Sequence, residues 1–159
     1  MCYRRSGGRA QLLPNAKRVA ANKADLKALV RAGRTPGLIA YRNEVPVGWV
    51  SLGPREEYAK LARSPVMKPV DDQAVWSVIC FVVPSEYRRQ GVAEALLAGA
   101  LAYARKRGAR LIEAYPVDKP IRSNDDSMWF GAKSMYDKAG FSEVARRKPH
   151  RPVVRRKPA

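Results

Sequence analysis

The sequence predicts an α/β (α+β) fold, a mixed sheet flanked by helices, and three observations carry that prediction. Val75 to Val83 is a continuous, β-branched apolar run, as expected of a strand buried on both faces. An amphipathic helix follows it, with Ala93, Leu96, Leu97, Ala100, Leu101 and Ala104 at i, i+3, i+4, i+7, i+8 and i+11. Shorter β-rich and helical segments alternate on either side of this pair, which is the pattern of helices layered on a sheet.

Each element can be justified in chain order. Asn15 to Ala32 predicts a helix, with Val19, Ala20, Leu26, Leu29 and Val30 roughly on one face and Gly33 as its stop. Gly37–Tyr41 and Val47–Leu52 are β-rich, and the segment Arg42-Asn43-Glu44 with Val45-Pro46 between them is a hairpin signal. Pro54 to Ala74 is a long connection with a helical turn expected at Glu56–Ala62, and connections of this length are often functional. The amphipathic helix ends at Gly108. Leu111–Tyr115 predicts a short strand stopped by Pro116, and Pro116–Phe130 a polar loop. Lys133–Ala139 predicts a short helix ended by Gly140, and Phe141–Arg147 with Arg151–Arg155 a closing strand pair.

Length and composition narrow the class. The chain has 159 residues, 46% of them hydrophobic and 28% charged, which suits one domain over 1–159 with 1–14 as a short N-terminal segment and excludes a chain disordered throughout. The longest apolar run falls far short of the ~20 residues of a membrane helix. No apolar segment stands behind Met1–Arg5, so the expected setting is cytoplasmic and without a membrane partner. Cys2 and Cys80 form no CxxC pair, and His150 is the only histidine. No metal is therefore expected, and a histidine-based triad has little to build on.

The net charge of +17 is uneven. Residues 1–34 carry nine Lys/Arg and one Asp, residues 142–159 seven Lys/Arg and one Glu, and the middle, 35–141, fifteen basic and twelve acidic residues. The excess at the two ends would attract a polyanion, or it is simply a solvated basic surface. There is no aromatic box or GXXG clamp of an RNA-binding module, so nucleic acid is expected to bind at most weakly and non-specifically.

Chemistry concentrates between the long strand and the long helix, in Pro84-Ser85-Glu86-Tyr87-Arg88-Arg89-Gln90-Gly91-Val92-Ala93. A loop at a helix N-terminus presents unpaired N–H groups and the positive end of the helix dipole, both suited to phosphate. Gly91 and Ala93 leave room for an anion, and Arg88 and Arg89 add charge-assisted donors. The loop is neither a Lys-containing P-loop nor a dinucleotide GxGxxG.

Arg88-x-x-Gly91-x-Ala93 resembles the Q/R-x-x-G-x-G/A signature of the GNAT N-acetyltransferase superfamily. Tyr136-Asp137-Lys138-Ala139-Gly140-Phe141 resembles that family's Y-x-x-x-G-F block, and the two motifs lie in the expected order and elements. The resemblance covers roughly residues 35–156. It implies a GNAT-type mixed, largely antiparallel central sheet, with an abbreviated N-terminus in which Cys2–Arg4 could supply a short first strand. It implies that Arg88, Arg89, Gln90, Gly91, Val92 and Ala93 hold the pyrophosphate of acetyl-CoA, while the backbone of Phe81, Val82 and Val83 lines the pantetheine arm and an N–H there polarises the thioester carbonyl. The family often has Asn seven residues before the Tyr, where this chain has Trp129; the nearest preceding Asn is Asn124.

The implied reaction is direct attack of a neutral amine on the thioester, with acetyl-CoA as co-substrate and a small molecule, peptide or protein as amine acceptor. It needs a base for the ammonium proton and is often helped by an acid for the thiolate. Tyr136 matches the family's frequent acid; the alternative is a tyrosine packing beside Met135 and Phe141. Glu113, an acid within an apolar strand, is a candidate base or a salt-bridge partner. Glu56, Glu57 or a water chain are further candidates for the base, and Cys80 reads as core. The long loops Arg55–Ala74 and Pro116–Phe130 would line the acceptor site. A rival reading is a basic nucleic-acid- or ribosome-associated binding protein on the same fold, and assembly as a homodimer is left open.

Overall fold

The computed structural model describes residues 15–120 and 128–158. Its elements are α1 (Asn15–Arg31), β1 (Gly37–Arg42), β2 (Val45–Pro54), α2 (Ala59–Ala62), β3 (Trp76–Val82), α3 (Val92–Lys106), β4 (Ile112–Ala114), α4 (Lys133–Lys138), β5 (Ser142–Arg146) and β6 (Pro152–Arg156). The strands form one sheet in the order β1-β2-β3-β4-β6-β5. Only β3 and β4 are parallel; every other pair is antiparallel, with β6 inserted between β4 and β5. This is the mixed, largely antiparallel sheet the sequence implied. The proposed first strand at Cys2–Arg4 lies outside the described residues.

The β1–β2 hairpin turns on Asn43 and Glu44, at φ 47 and 66. Two successive positive φ values give the backbone twist that matches paired strands; Asn tolerates them well and Glu less so. A bulge in β3 matters more for function. Pairing with β2 jumps from Leu52↔Val78 to Ser51↔Cys80, leaving Ile79 as the extra residue. Side-chain alternation therefore changes phase at this point. Val78 and Phe81 face one core, whereas the consecutive Ile79 and Cys80 both face the other.

The two cores lie on opposite faces of the sheet. On one, Leu96, Leu97, Ala100 and Ala104 of α3 pack with Val50, Leu52, Val78, Ile112 and Ala114, and Met135 and Tyr136 of α4 extend the layer. Gly48 permits the close approach of α3, since a Cβ there would lie 2.8 Å from Val92 Cγ1. On the other face, the connection after β2 folds back so that Tyr58, Leu61 and Met67 cover Ile79, Cys80, Tyr115 and Val153.

α1 corrects one expectation. Its anticipated apolar face is largely in solvent, with Val19 64%, Leu26 41% and Val30 56% exposed. The half-buried positions are Ala21, Asn22 and Leu29. Asn22 and Leu29 are seven residues apart and share one side of the helix, and Leu26, Val19 and Val30 lie progressively further round toward solvent, so only the edge of the anticipated face is covered.

Candidate active site

β3 and β4 separate. They pair only at Trp76↔Ile112, Ser77↔Glu113 and Val78↔Ala114, because Pro116 follows closely and cannot donate to a ladder. Beyond Val78, β3 runs on without β4, and a cleft of about 760 Å³ opens beside its free end. One wall is Phe81, Val82 and Val83; the head is Tyr87, Arg88, Arg89, Gly91, Val92, Ala93 and Glu94; the opposite wall is Met128, Trp129, Gly131, Ala132, Ser134 and Met135.

The head of the cleft is built by backbone conformation. Arg89 and Gly91 have φ 58 and 78, so the chain turns sharply between the short 3-10 turn Ser85–Tyr87 and α3. Gly91 is the N-cap of α3 and makes no side-chain capping bond. The first intrahelical bond runs from Ala95 N to Gly91 O, at 2.9 Å. The N–H groups of Val92, Ala93 and Glu94 belong to the first turn, where helix geometry supplies no acceptor. A Cβ on Gly91 would meet nothing within 4 Å, so the approach to these donors is open. Arg88 Nε donates to Val83 O at 2.9 Å, tying the loop to the strand. This arrangement suits a phosphate group.

Eight of the nine residues expected to bind cofactor line this one cleft. Gln90 does not: its side chain accepts from Arg42 Nη1 at 2.6 Å and donates to Glu86 O at 2.7 Å, bracing the loop against the β1–β2 hairpin. The Phe81 N–H donates to Trp129 O at 2.7 Å. Trp129, standing where the family often has Asn, thus bridges the gap between the separated strands through its backbone.

Tyr136 is fully buried one layer behind the wall. Its hydroxyl donates to Phe130 O at 2.9 Å, and its ring meets Phe141 edge-on at 5.1 Å. A Cβ on Gly131 would lie 2.7 Å from Met135 Cε and 3.2 Å from the Tyr136 ring, so this lining residue packs directly against the tyrosine. Burial, with a smaller contribution from Cys80, pushes the phenol's pKa well above its ordinary value.

The structure does not bring Glu113 to the cleft. It is level with Ser77, four residues before Phe81, or ~13 Å at strand spacing. The carboxylate is fully buried in a network. Arg55 Nη1 donates to Oε1, as does Tyr115 Oη at 2.6 Å, and Arg155 Nε donates to Oε2 at 2.8 Å. Arg155 also reaches Asp71 at 2.6 and 3.0 Å. A carboxylate held between two arginines is enclosed by partners rather than presented to a substrate. Glu56 and Glu57 are also remote: they follow Pro54, which pairs with Trp76 at the start of β3, and Glu57 bonds Arg34. Cys80 is buried, as expected.

The sequence reading expected Pro116–Phe130 to line the acceptor site but singled out none of the residues of the opposite wall as binding residues. Ser134 and Met135 precede the motif tyrosine and carried no chemistry of their own; Met128 and Trp129 sat in the loop Pro116–Phe130, and Gly131 and Ala132 between that loop and the helix. The one available signal was Trp129 in the place of the family's Asn. Among the described residues, no group of three or more His, Cys, Asp or Glu could hold a metal, and no helix is long and apolar enough to cross a membrane.

A family model identifies the chain, and solved structures share its fold. The family model described as the acetyltransferase (GNAT) family matches residues 12–141. Among solved structures, a protein from Desulfovibrio desulfuricans assigned to the GNAT family superposes with TM-score 0.58 at 18% identity, covering 93% of this chain and 85% of that one. A ribosomal-protein-alanine N-acetyltransferase from Brucella melitensis gives TM-score 0.52 at 20% identity, covering 87% and 78%. The PaiA N-acetyltransferase from Thermoplasma acidophilum, solved in complex with coenzyme A, gives 0.51 at 14% identity, covering 93% and 82%. No curated protein sequence matches the chain.

Proposed function

Since the chain belongs to the acetyltransferase (GNAT) family, we propose that it transfers an acetyl group from acetyl-CoA to a primary amine by direct attack of the amine on the thioester. The observation that carries this reading is the single cleft that joins the uncapped N-terminus of α3 to the unpaired end of β3. A pyrophosphate fits the Val92, Ala93 and Glu94 N–H groups with Arg88 and Arg89 beside them. Gln90 contributes only through its backbone. The pantetheine arm then runs along Phe81, Val82 and Val83, against Ser134 and Met135.

Acetyl-CoA supplies an activated acyl group, and the residues of the chain orient it and handle protons. On this reading the Phe81 N–H is the donor to the thioester oxygen, and the Trp129 carbonyl gives it up when cofactor enters. Tyr136 is the proton donor to the departing thiolate. Its phenol is protonated at neutral pH, as an acid must be, but burial raises its pKa and so weakens it as a donor, and its hydroxyl has to leave Phe130 O and reach the cleft from the layer behind. Among the described residues no carboxylate lines the cleft near Phe81; Glu94, the one acidic residue in its lining, lies at the phosphate end. We take water entering the open cleft as the base that removes the proton of the amine.

Two measurements test the reading. Calorimetric titration should show saturable acetyl-CoA binding at one site per chain. A screen of small-molecule, peptide and protein amines for CoA-thiol release should find at least one acceptor. Absence of acetyl-CoA binding by the folded protein would end the proposal.

A further inference from the structure

The far end of α3 carries a second cluster of charge that the cleft does not use. Arg105 and Lys106 lie in the last turn of the helix, Arg107 caps it, and Arg110 sits in the turn before β4. The antiparallel register Ile112↔Arg156 brings the end of β6 alongside this turn, so Lys157 joins the group. All five side chains are exposed. None is held by an ion pair or side-chain hydrogen bond among the described residues. Arg156 differs: it turns inward and donates to Ala139 O. The fifteen residues of α3 separate the cluster from the phosphate end of the cleft by ~22 Å, so these cations do not serve acetyl-CoA.

The surroundings of the cluster select its partner. The large apolar side chains that are exposed, Val19, Leu26, Val30, Ile39, Tyr41, Val45, Val82 and Val144, all lie on other elements. Protein interfaces are anchored by a buried apolar or aromatic centre inside a polar rim; the aromatics at this end, Trp76 and Tyr103, are half-buried and packed on each other at 6.1 Å, so the patch has the rim chemistry without a protruding anchor. A phosphate backbone needs only closely spaced cations and released counterions. We propose that this end of the sheet is a docking surface for a nucleic-acid backbone, bound without sequence preference, leaving the cleft at the other end open. The proposal does not depend on the acyltransferase reading.

The test is fluorescence anisotropy on the full chain with a single-stranded RNA and a duplex DNA of about 20 nucleotides, at roughly 50 and 200 mM salt. Four phosphate contacts predict a loss of roughly 50-fold in affinity for the single strand over that range. Changing Arg105, Lys106, Arg107 and Arg110 together to Gln should abolish most of the binding and flatten the salt dependence by about three in log–log slope. A charge-matched control, with Lys17, Lys23, Lys27 and Arg31 of α1 changed to Gln, should retain affinity within a few-fold. Both variants alter exposed side chains only and should melt like wild type. Equal loss in the two variants would reduce the effect to net charge and overturn the proposal. So would wild-type affinity in the first variant, or equally tight binding of polyglutamate or phosphatidylserine vesicles.

Discussion

The two ends of β3 use the same kinds of group to opposite effect. At its start, Trp76 to Val78 pair on both sides, with β2 and β4, and the charges nearby are turned on one another. Glu113 is gripped by Arg55 and Arg155, and Tyr115 Oη bonds both Glu113 and Ser77. Arg55 reaches on to Met67 O, Arg147 to Val66 O, Lys68 O and Pro69 O, and Arg155 to Asp71. Three arginines thereby fasten the connection after α2 over the second face. At its other end, past the Ile79 bulge, β3 loses β4, and Arg88 is tied to the strand through Val83 O while both Arg88 and Arg89 line the cleft. Where pairing is complete, charge is spent on holding the fold. Where pairing stops, backbone donors and guanidinium groups are left facing a cleft.

The largest effect should come from breaking the closed end. Glu113→Ala leaves Arg55 and Arg155 as buried cations without their shared carboxylate, a change that typically costs 3–5 kcal/mol, or roughly that order here. Denaturant unfolding should show it directly, while any variant that folds should still bind acetyl-CoA. If Glu113→Gln instead kept wild-type stability and lost the acidic limb of the kcat/KM profile, the carboxylate would belong to the chemistry after all.

At the open end, Tyr136→Phe should lower kcat by ~10²-fold with little change in acetyl-CoA affinity, the size expected for one general acid. The same residue gives a pH signature. Tyr115 and Tyr136 both have pKa values raised first by burial, so the folded protein holds protons that the unfolded chain releases above about pH 10. Their contribution to stability is complete below that pH and is lost as the solution is made more alkaline. Urea midpoints measured across this range should fall in the wild type and fall less in Tyr136→Phe. A variant with full kcat but reduced alkaline sensitivity would assign Tyr136 to packing alone.

Gly91 sharpens the comparison from the ligand's side. Valine at φ 78 carries a backbone penalty of about 1–2 kcal/mol, so Gly91→Val tests strain and space together. Gly91→Ala is the cleaner probe, because open space surrounds the position. We expect roughly tenfold weaker acetyl-CoA binding for Ala and more for Val, against a small shift in melting temperature; a factor of ten is about 1.4 kcal/mol. Unchanged affinity in both would remove the loop from the cofactor site.

What the sequence made legible divides along the same line. The β3–α3 unit was readable because its signals are local: a β-branched run, a clear helical period and a loop containing Gly91. Eight of the nine residues expected to bind cofactor line one cleft, since a loop between two well-defined elements has few places to go. Glu113 misled because an acid inside an apolar strand looks the same whether it faces a substrate or two arginines. Those arginines are 58 and 42 residues away in sequence, beyond any local pattern. The Met128–Met135 wall was illegible for a related reason: its residues meet the cleft only because β4 ends early. The sequence does contain Pro116, but not the consequence that the strands part there. Even the basic C-terminus read differently once folded, since Arg155 is buried and committed to Glu113 and Asp71.

The smallest effect should appear where the closed end meets solvent. Arg155 holds the Asp71 carboxyl down at about 2, chiefly through their hydrogen bonds. A depressed folded-state value means that the unfolded chain takes up this proton first as the solution is acidified. The contribution is present above about pH 4, the ordinary carboxylate value, and disappears as pH falls through about 2. The group is exposed, so water and salt screen the pair and its worth is modest. In Asp71→Asn the connection after α2 is still fastened by Arg55 at Met67 O and by Arg147 at three carbonyls, and Arg155 keeps Glu113. We therefore expect a near-wild-type melting temperature at neutral pH and a shallower decline on acidification. A large loss at neutral pH would show that the network is cooperative through Asp71, and that the closed end reaches the surface rather than stopping at Glu113.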